Sequence, residues 1–201
     1  VTMVEINQLS KSFPTEEGER KILDNINFRV NTGEFVSVIG PSGCGKSTLL
    51  HIIAGIDEAD DGEVKINDAV NSPRLGHVGY MQQKDLLLPW RTVLDNVILG
   101  LELKGVAKPE ARQKALEHIE IFGLKGFENQ YPFVLSGGMR QRASFLRSVL
   151  LHQEVMLLDE PFGALDALTR HQMQEWLVNL WQKLGNTIIL VTHDTDEALL
   201  L

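Results

Sequence analysis

The residues Gly40-Pro41-Ser42-Gly43-Cys44-Gly45-Lys46-Ser47-Thr48 fit the pattern G-x-x-x-x-G-K-[ST] without a gap. Glycines let backbone N–H groups converge on one small anion, because no Cβ blocks the tight curve. The chemistry that follows is the grip of a nucleoside triphosphate, with Gly40, Ser42, Gly43, Cys44, Gly45, Lys46, Ser47 and Thr48 around the phosphates. Lys46 would reach the β- and γ-phosphates, and the Ser47 hydroxyl would ligate Mg²⁺. A second pair, Asp159-Glu160, ends the apolar run Val155-Met156-Leu157-Leu158. Two carboxylates at the carboxyl end of a buried strand are hard to justify as packing. Asp159 would hold Mg²⁺, and Glu160 would polarise an attacking water. His193 closes another apolar run, Thr187–Val191, where an imidazole could contact a γ-phosphate. Ser136-Gly137-Gly138 stands before a helical stretch and offers a second anion-binding helix start, remote in sequence from the first.

These residues need elements to position them. Phe35–Ile39 reads as the strand before the glycine-rich loop, and Thr48–Ala54 as the helix after it. Short strands are expected at 4–9 and 26–30, with the polar stretch Pro14–Arg20 between them and a turn at Asn31-Thr32-Gly33. Phe13, at the end of the first strand, reads either as a packing residue or as a platform for an adenine ring. Glu63–Asn67 alternates like a half-buried strand, and His77–Gln82 reads as another. Gln83 then leads to Leu86-Leu87-Leu88-Pro89-Trp90, where Pro89 disfavours a regular element. This cluster reads as an exposed docking loop or as leucines folded back on the core. From Thr92 to about Leu151 the pattern is helical. Thr92 would cap a helix carrying Val93, Val97, Ile98 and Leu101. Pro109 suits a first turn, and Ala111, Ala115, Ile119 and Phe122 form the next stripe. Beyond Asp166, the residues Met173, Trp176, Leu177, Leu180, Trp181 and Leu184 recur at steps of three and four.

The 201 residues suffice for one domain with a sizeable core, and the formal net charge of −8 without any dense Lys/Arg run disfavours nucleic acid as a partner. No apolar run approaches the roughly 18 residues of a membrane span. The opening residues Val1-Thr2-Met3-Val4-Glu5 carry neither a basic region nor an apolar signal core. These points lead to the expectation of a soluble protein on the cytosolic side. One cysteine, Cys44, cannot form an internal disulfide and agrees with a reducing compartment.

In their order along the chain these motifs resemble the nucleotide-binding subunit of ABC transporters: phosphate loop 40–48, Gln83, LSGGM at 135–139, VMLLDEP at 155–161, Asp166 and His193. LLPW, LSGGMRQR and DEPFGALDALTR are similar to the importer branch that handles nitrate, sulfonates, taurine and bicarbonate. Gln82 stands where the family often has Phe, and Met139 where many members have Gln. The resemblance implies an α/β fold: a P-loop NTPase (RecA-like) parallel-sheet core with an N-terminal antiparallel β sub-domain and an inserted helical sub-domain. Residues 1–83 and 152–201 would form the core, and 84–151 the helical part, in one domain spanning 1–201. Family domains usually run past Leu201.

The resemblance further implies that ATP and Mg²⁺ bind, and that two copies pair head to tail with ATP between them. Ser136, Gly137 and Gly138 of one copy would complete the phosphate loop of the other, so that within one chain Ser136 would lie far from Lys46. Gln83 would approach the Mg²⁺ and the water, and Asp166 would bridge the copies. Catalysis would fall to Lys46, Gln83, Glu160 and His193. Separate transmembrane permease subunits would dock near Gln83–Trp90, with a solute-binding protein acting indirectly. The chain would lie on the cytoplasmic side of the membrane as a peripheral subunit. The competing expectation is a related ATPase that acts on nucleic acid or the ribosome.

Alkylation of Cys44 is expected to abolish nucleotide binding, and titration with a fluorescent ATP analogue before and after maleimide treatment checks this.

Overall fold

The computed structural model describes residues 1–16, 18–70 and 74–201; Glu17, in the polar stretch expected between the first strands, lies outside them. In chain order the elements are β1 (Thr2–Thr15), β2 (Gly18–Asn31), β3 (Phe35–Ile39), α1 (Lys46–Ala54), β4 (Asp61–Ile66), β5 (Ala69–Val70) and β6 (Gly79–Met81). There follow α2 (Val93–Val97), α3 (Leu99–Leu103), α4 (Lys108–Ile119), α5 (Gly137–Val149), β7 (Val155–Asp159), α6 (Ala167–Leu184), β8 (Thr187–Thr192) and α7 (Thr195–Leu200). Two compact units form. One comprises Val1–Val78, Glu154–Asp159 and Val178–Leu201; the other comprises Gly79–Gln153 and Glu160–Leu177.

The first unit holds an antiparallel sheet in the order β2-β1-β4-β5. Val4 and Ile6 of β1 are buried and pair with Val30 and Phe28 on one side and Ile66 and Val64 on the other. Strict alternation would next send Gln8 inward. Instead the register slips after Ile6, Gln8 takes φ +51°, and Leu9 becomes the buried residue. β1 and β2 run well past the expected 4–9 and 26–30. Their outer halves pair through Lys11 with Leu23 and Phe13 with Arg20, because backbone pairing needs no apolar alternation.

The same unit carries the parallel strands β3, β8 and β7 side by side. All residues of β7 and β8 are buried, as the continuous apolar runs require of strands covered on both faces. Phe35 of β3 meets Trp181 edge-on at 5.8 Å, and the Trp181 indole N–H donates to the Gly33 carbonyl at 2.9 Å.

In the second unit Thr92 caps α2, its hydroxyl accepting from Asp95 N–H. The single helix expected from Thr92 is two short ones, broken at Ile98 (φ −84°, ψ −3°). The break seats Gly100 against Leu151, where a Cβ would come within 2.5 Å of a Leu151 methyl. α4 begins as expected, with Pro109 in its first turn, and Ala111, Ala115, Ile119 and Phe122 are all buried. The strand expected at His77–Gln82 is only β6. His77 N–H donates to the Arg74 carbonyl, which makes that end a turn. The apolar stripe of α6 is divided rather than continuous. Met173 and Leu177 are buried, Leu184 is 43% exposed, and Trp176 joins Phe122 and Phe145 at 4.5 and 5.7 Å.

Phe122→Ala removes the ring shared by Phe145 and Trp176, and is expected to cost about 3–5 kcal/mol, read as a lower urea midpoint.

Candidate functional site

Strand register builds the site first. Ile39 pairs with Thr192, and Asp159 with Val191. Gly40, His193 and Asp159 therefore leave the sheet at one carboxyl edge, where open α/β sheets collect ligands. Gly43 and Gly45 take φ +79° and +102° in the loop that follows β3. Gly45 is the N-cap of α1 and supplies no side chain to its first turn, so those N–H groups face the loop. A Cβ on Gly45 would stand 2.8 Å from Ile22 Cγ2 and 3.1 Å from the Ile22 carbonyl oxygen. A Cβ on Gly40 would stand 2.9 Å from Cys44 Sγ. Lys46 is buried, and its Nζ donates to the carbonyls of Gly40 (2.8 Å) and Pro41 (2.9 Å). The ammonium is thus held across the mouth of its own loop. Ser42, Gly43 and Cys44 are exposed, while Ser47 and Thr48 are half-buried.

Asp159 is 3% exposed at the end of β7, whereas His193 is exposed after β8. Among the described residues no group of three or more His, Cys, Asp or Glu side chains gathers to hold a metal. One hydroxyl and one carboxylate, from Ser47 and Asp159, suit Mg²⁺, which takes few protein ligands and shares the rest with phosphate and water. Phe13 is 37% exposed, with Lys11 Nζ 5.4 Å from its ring centroid.

The second unit carries the other motif residues. Glu160 takes φ +48°, a strained conformation for a non-glycine residue. Gln83 Nε2 donates to Glu160 Oε2 at 3.0 Å. Ser136 caps α5, its hydroxyl accepting from Met139 N–H at 3.2 Å, with Gly137 and Gly138 baring the first turn. Asp166 Oδ1 accepts from Thr169 N–H at 3.0 Å, and this bond, the largest influence, holds its carboxyl below the usual carboxylate range. Ser136 and Lys46 belong to different units.

The loop after Gln83 divides its apolar residues: Leu87 is buried, while Leu86 and Trp90 are 49% and 72% exposed. Sequence reasoning missed what holds it. Asn96, fully buried, donates to the carbonyls of Leu88, Arg91 and Thr92 and accepts from Leu88 N–H. Arg147 donates to the carbonyls of Asp85 (2.8 Å) and Leu86 (2.9 Å), and Arg140 to the Asp85 carboxylate and the Leu135 carbonyl. Burial pushes the Arg147 guanidinium down, with Asp85 opposing that shift. The signal for these residues is weak in a sequence, since each partner lies on a folded loop.

Residues 23–163 match the ABC transporter family. This chain belongs to that family. It is 48% identical over 198 residues to an aliphatic sulfonates import ATP-binding protein of Bacillus cereus, covering 98% of this chain and 78% of that one. It is 43% identical over 201 residues to a taurine import ATP-binding protein of Rhizobium johnstonii, covering 99% and 76%. The dimeric structure of an ATP-binding cassette in a post-hydrolysis state, bound to ADP and Pi, superposes with TM-score 0.92 at 34% identity, covering 98% and 91%. The chain is therefore an ABC cassette with the P-loop NTPase fold, an ATP-binding ATPase. Among its described residues no helix is long and apolar enough to cross a membrane.

Gly45→Ala meets both a disallowed φ and Ile22. It is expected to destabilise the chain by about 1–3 kcal/mol and to weaken ATP binding, checked by thermal melts with and without nucleotide.

Proposed function

We propose that this chain is the ATP-hydrolysing subunit of an importer for a small solute of the nitrate, sulfonate, taurine or bicarbonate kind, working as a head-to-tail pair. The observation that carries this reading is the Gln83–Glu160 hydrogen bond. It ties the proposed general base to the residue from which the exposed Leu86 and Trp90 follow three and seven positions later.

Lys46 balances charge on the β- and γ-phosphates, and the N–H groups of Gly40, Ser42, Gly43, Cys44, Gly45, Ser47 and Thr48 line them. Ser47, Asp159 and Gln83 would hold Mg²⁺, which would supply charge neutralisation on the phosphate oxygens. Glu160 accepts a proton from water as its oxygen bonds to the γ-phosphorus, while the bond from that phosphorus to the β,γ-bridging oxygen breaks and ADP departs. His193 donates to the γ-phosphate, and Phe13 stacks on adenine with Lys11 beside it. The helix start at Ser136, Gly137 and Gly138 of a second copy supplies further donors to the phosphates, and Asp166 bridges the copies from its cap position. Leu86 and Trp90 receive the membrane subunits from the cytoplasmic side, and the polar bolts at Asn96, Arg140 and Arg147 carry their motion to α5. A solute-binding protein selects the cargo. The net charge of −8 disfavours nucleic acid as a partner.

Glu160→Gln is expected to lower ATP turnover by about 10²–10⁴-fold and to let an ATP-bound dimer accumulate on size exclusion. Undiminished turnover would remove Glu160 from the reaction.

A further inference from the structure

Glu197 is a carboxylate that the reaction above does not use, yet it is 6% exposed on α7. A carboxylate at that depth is costly unless hydrogen bonds satisfy it. The Thr192 hydroxyl donates to Glu197 Oε2. The same hydroxyl oxygen accepts from the Asp194 backbone N–H at 3.0 Å. Asp194 Oδ1 in turn accepts from the N–H groups of Asp196 (2.9 Å) and Glu197 (3.2 Å). These bonds form a closed circuit from Glu197 through Thr192 and Asp194 back to Glu197. His193 is the residue the circuit encloses in sequence. Both its chain neighbours are fixed, while its own side chain stays exposed. Thr192 is the last residue of β8 and pairs with Ile39, so the circuit is anchored to the strand end that also launches the phosphate loop.

We propose that Glu197 is a positioning residue for His193. By holding the Thr192 hydroxyl it fixes the turn that aims the imidazole at the γ-phosphate. The proposal rests on the role given to His193 above. Glu197 acts here as a hydrogen-bond acceptor rather than as a charge, and a glutamine, whose amide oxygen accepts the same bond, serves in its place. A carboxylate that merely tethered α7 would affect melting temperature without selecting kcat.

The test measures kcat and KM for ATP on the full chain, with melting temperature alongside, for Glu197→Ala, Glu197→Gln, Thr192→Val, His193→Ala and the double variant Glu197→Ala with His193→Ala. Glu197→Ala and Thr192→Val are expected to lower kcat about tenfold or more while KM stays within about twofold. Glu197→Gln is expected to keep kcat within about threefold of the parent, and Glu197→Ala to cost nothing further once His193 is alanine. Full kcat in Glu197→Ala, or losses that multiply in the double variant, would overturn the positioning role while leaving His193 in place. Parent-like kcat in His193→Ala would instead remove His193 from the reaction, and the positioning role with it. Should Glu197→Ala fail to fold, Thr192→Val carries the same comparison, with Thr192→Ser as its rescue.

Discussion

The parallel pairing of β8 with β3 on one side and β7 on the other is what the rest of the site depends on. Strands buried on both faces have no water to satisfy their N–H and C=O groups, so they must pair with neighbours in a fixed register. That register aligns Ile39 with Thr192 and Val191 with Asp159. Gly40, His193 and Asp159 then share an edge although they are far apart in sequence. A one-residue slip would turn Asp159 toward the opposite face of the sheet and carry it out of line with the loop.

Much of this was legible in the residues. Val155–Leu158 and Thr187–Val191 are apolar without interruption, and strands of that kind are buried on both sides. Thr92, Pro109 and Ser136 act within one helical turn, so their capping roles can be read locally. The hairpin was under-read because its outer half is held by backbone pairing and bulges, to which apolar spacing is blind. Asn96 was not legible at all: its meaning lies in the carbonyls of Leu88 and Arg91, which converge only after the loop has folded. Glu197 was hidden for the opposite reason. An acidic residue on a short helix ordinarily faces solvent, and only burial shows otherwise.

Polar groups carry the second unit's function in a similar way. Its apolar centre, built on Phe122, Phe145, Phe162 and Trp176, sets the frame. The position of the exposed loop is set by hydrogen bonds from Asn96, Arg140 and Arg147. Buried polar networks of this kind specify one arrangement because every alternative leaves donors unpaired. Leu86, at φ +45°, is held in a conformation that the free chain would seldom adopt, and such strain persists only where the surroundings enforce it. These bonds join the loop that carries the exposed leucine and tryptophan to α5.

The central claim is that each chain holds half a site, with the phosphate loop of one copy completed by Ser136–Gly138 of another. ATP turnover per chain, followed over a dilution series from micromolar to low nanomolar protein at saturating Mg-ATP, tests it most directly. A shared site predicts that turnover per chain falls on dilution as the pair dissociates. Turnover that stays constant across the whole series would mean that one chain hydrolyses ATP alone, and would contradict the account.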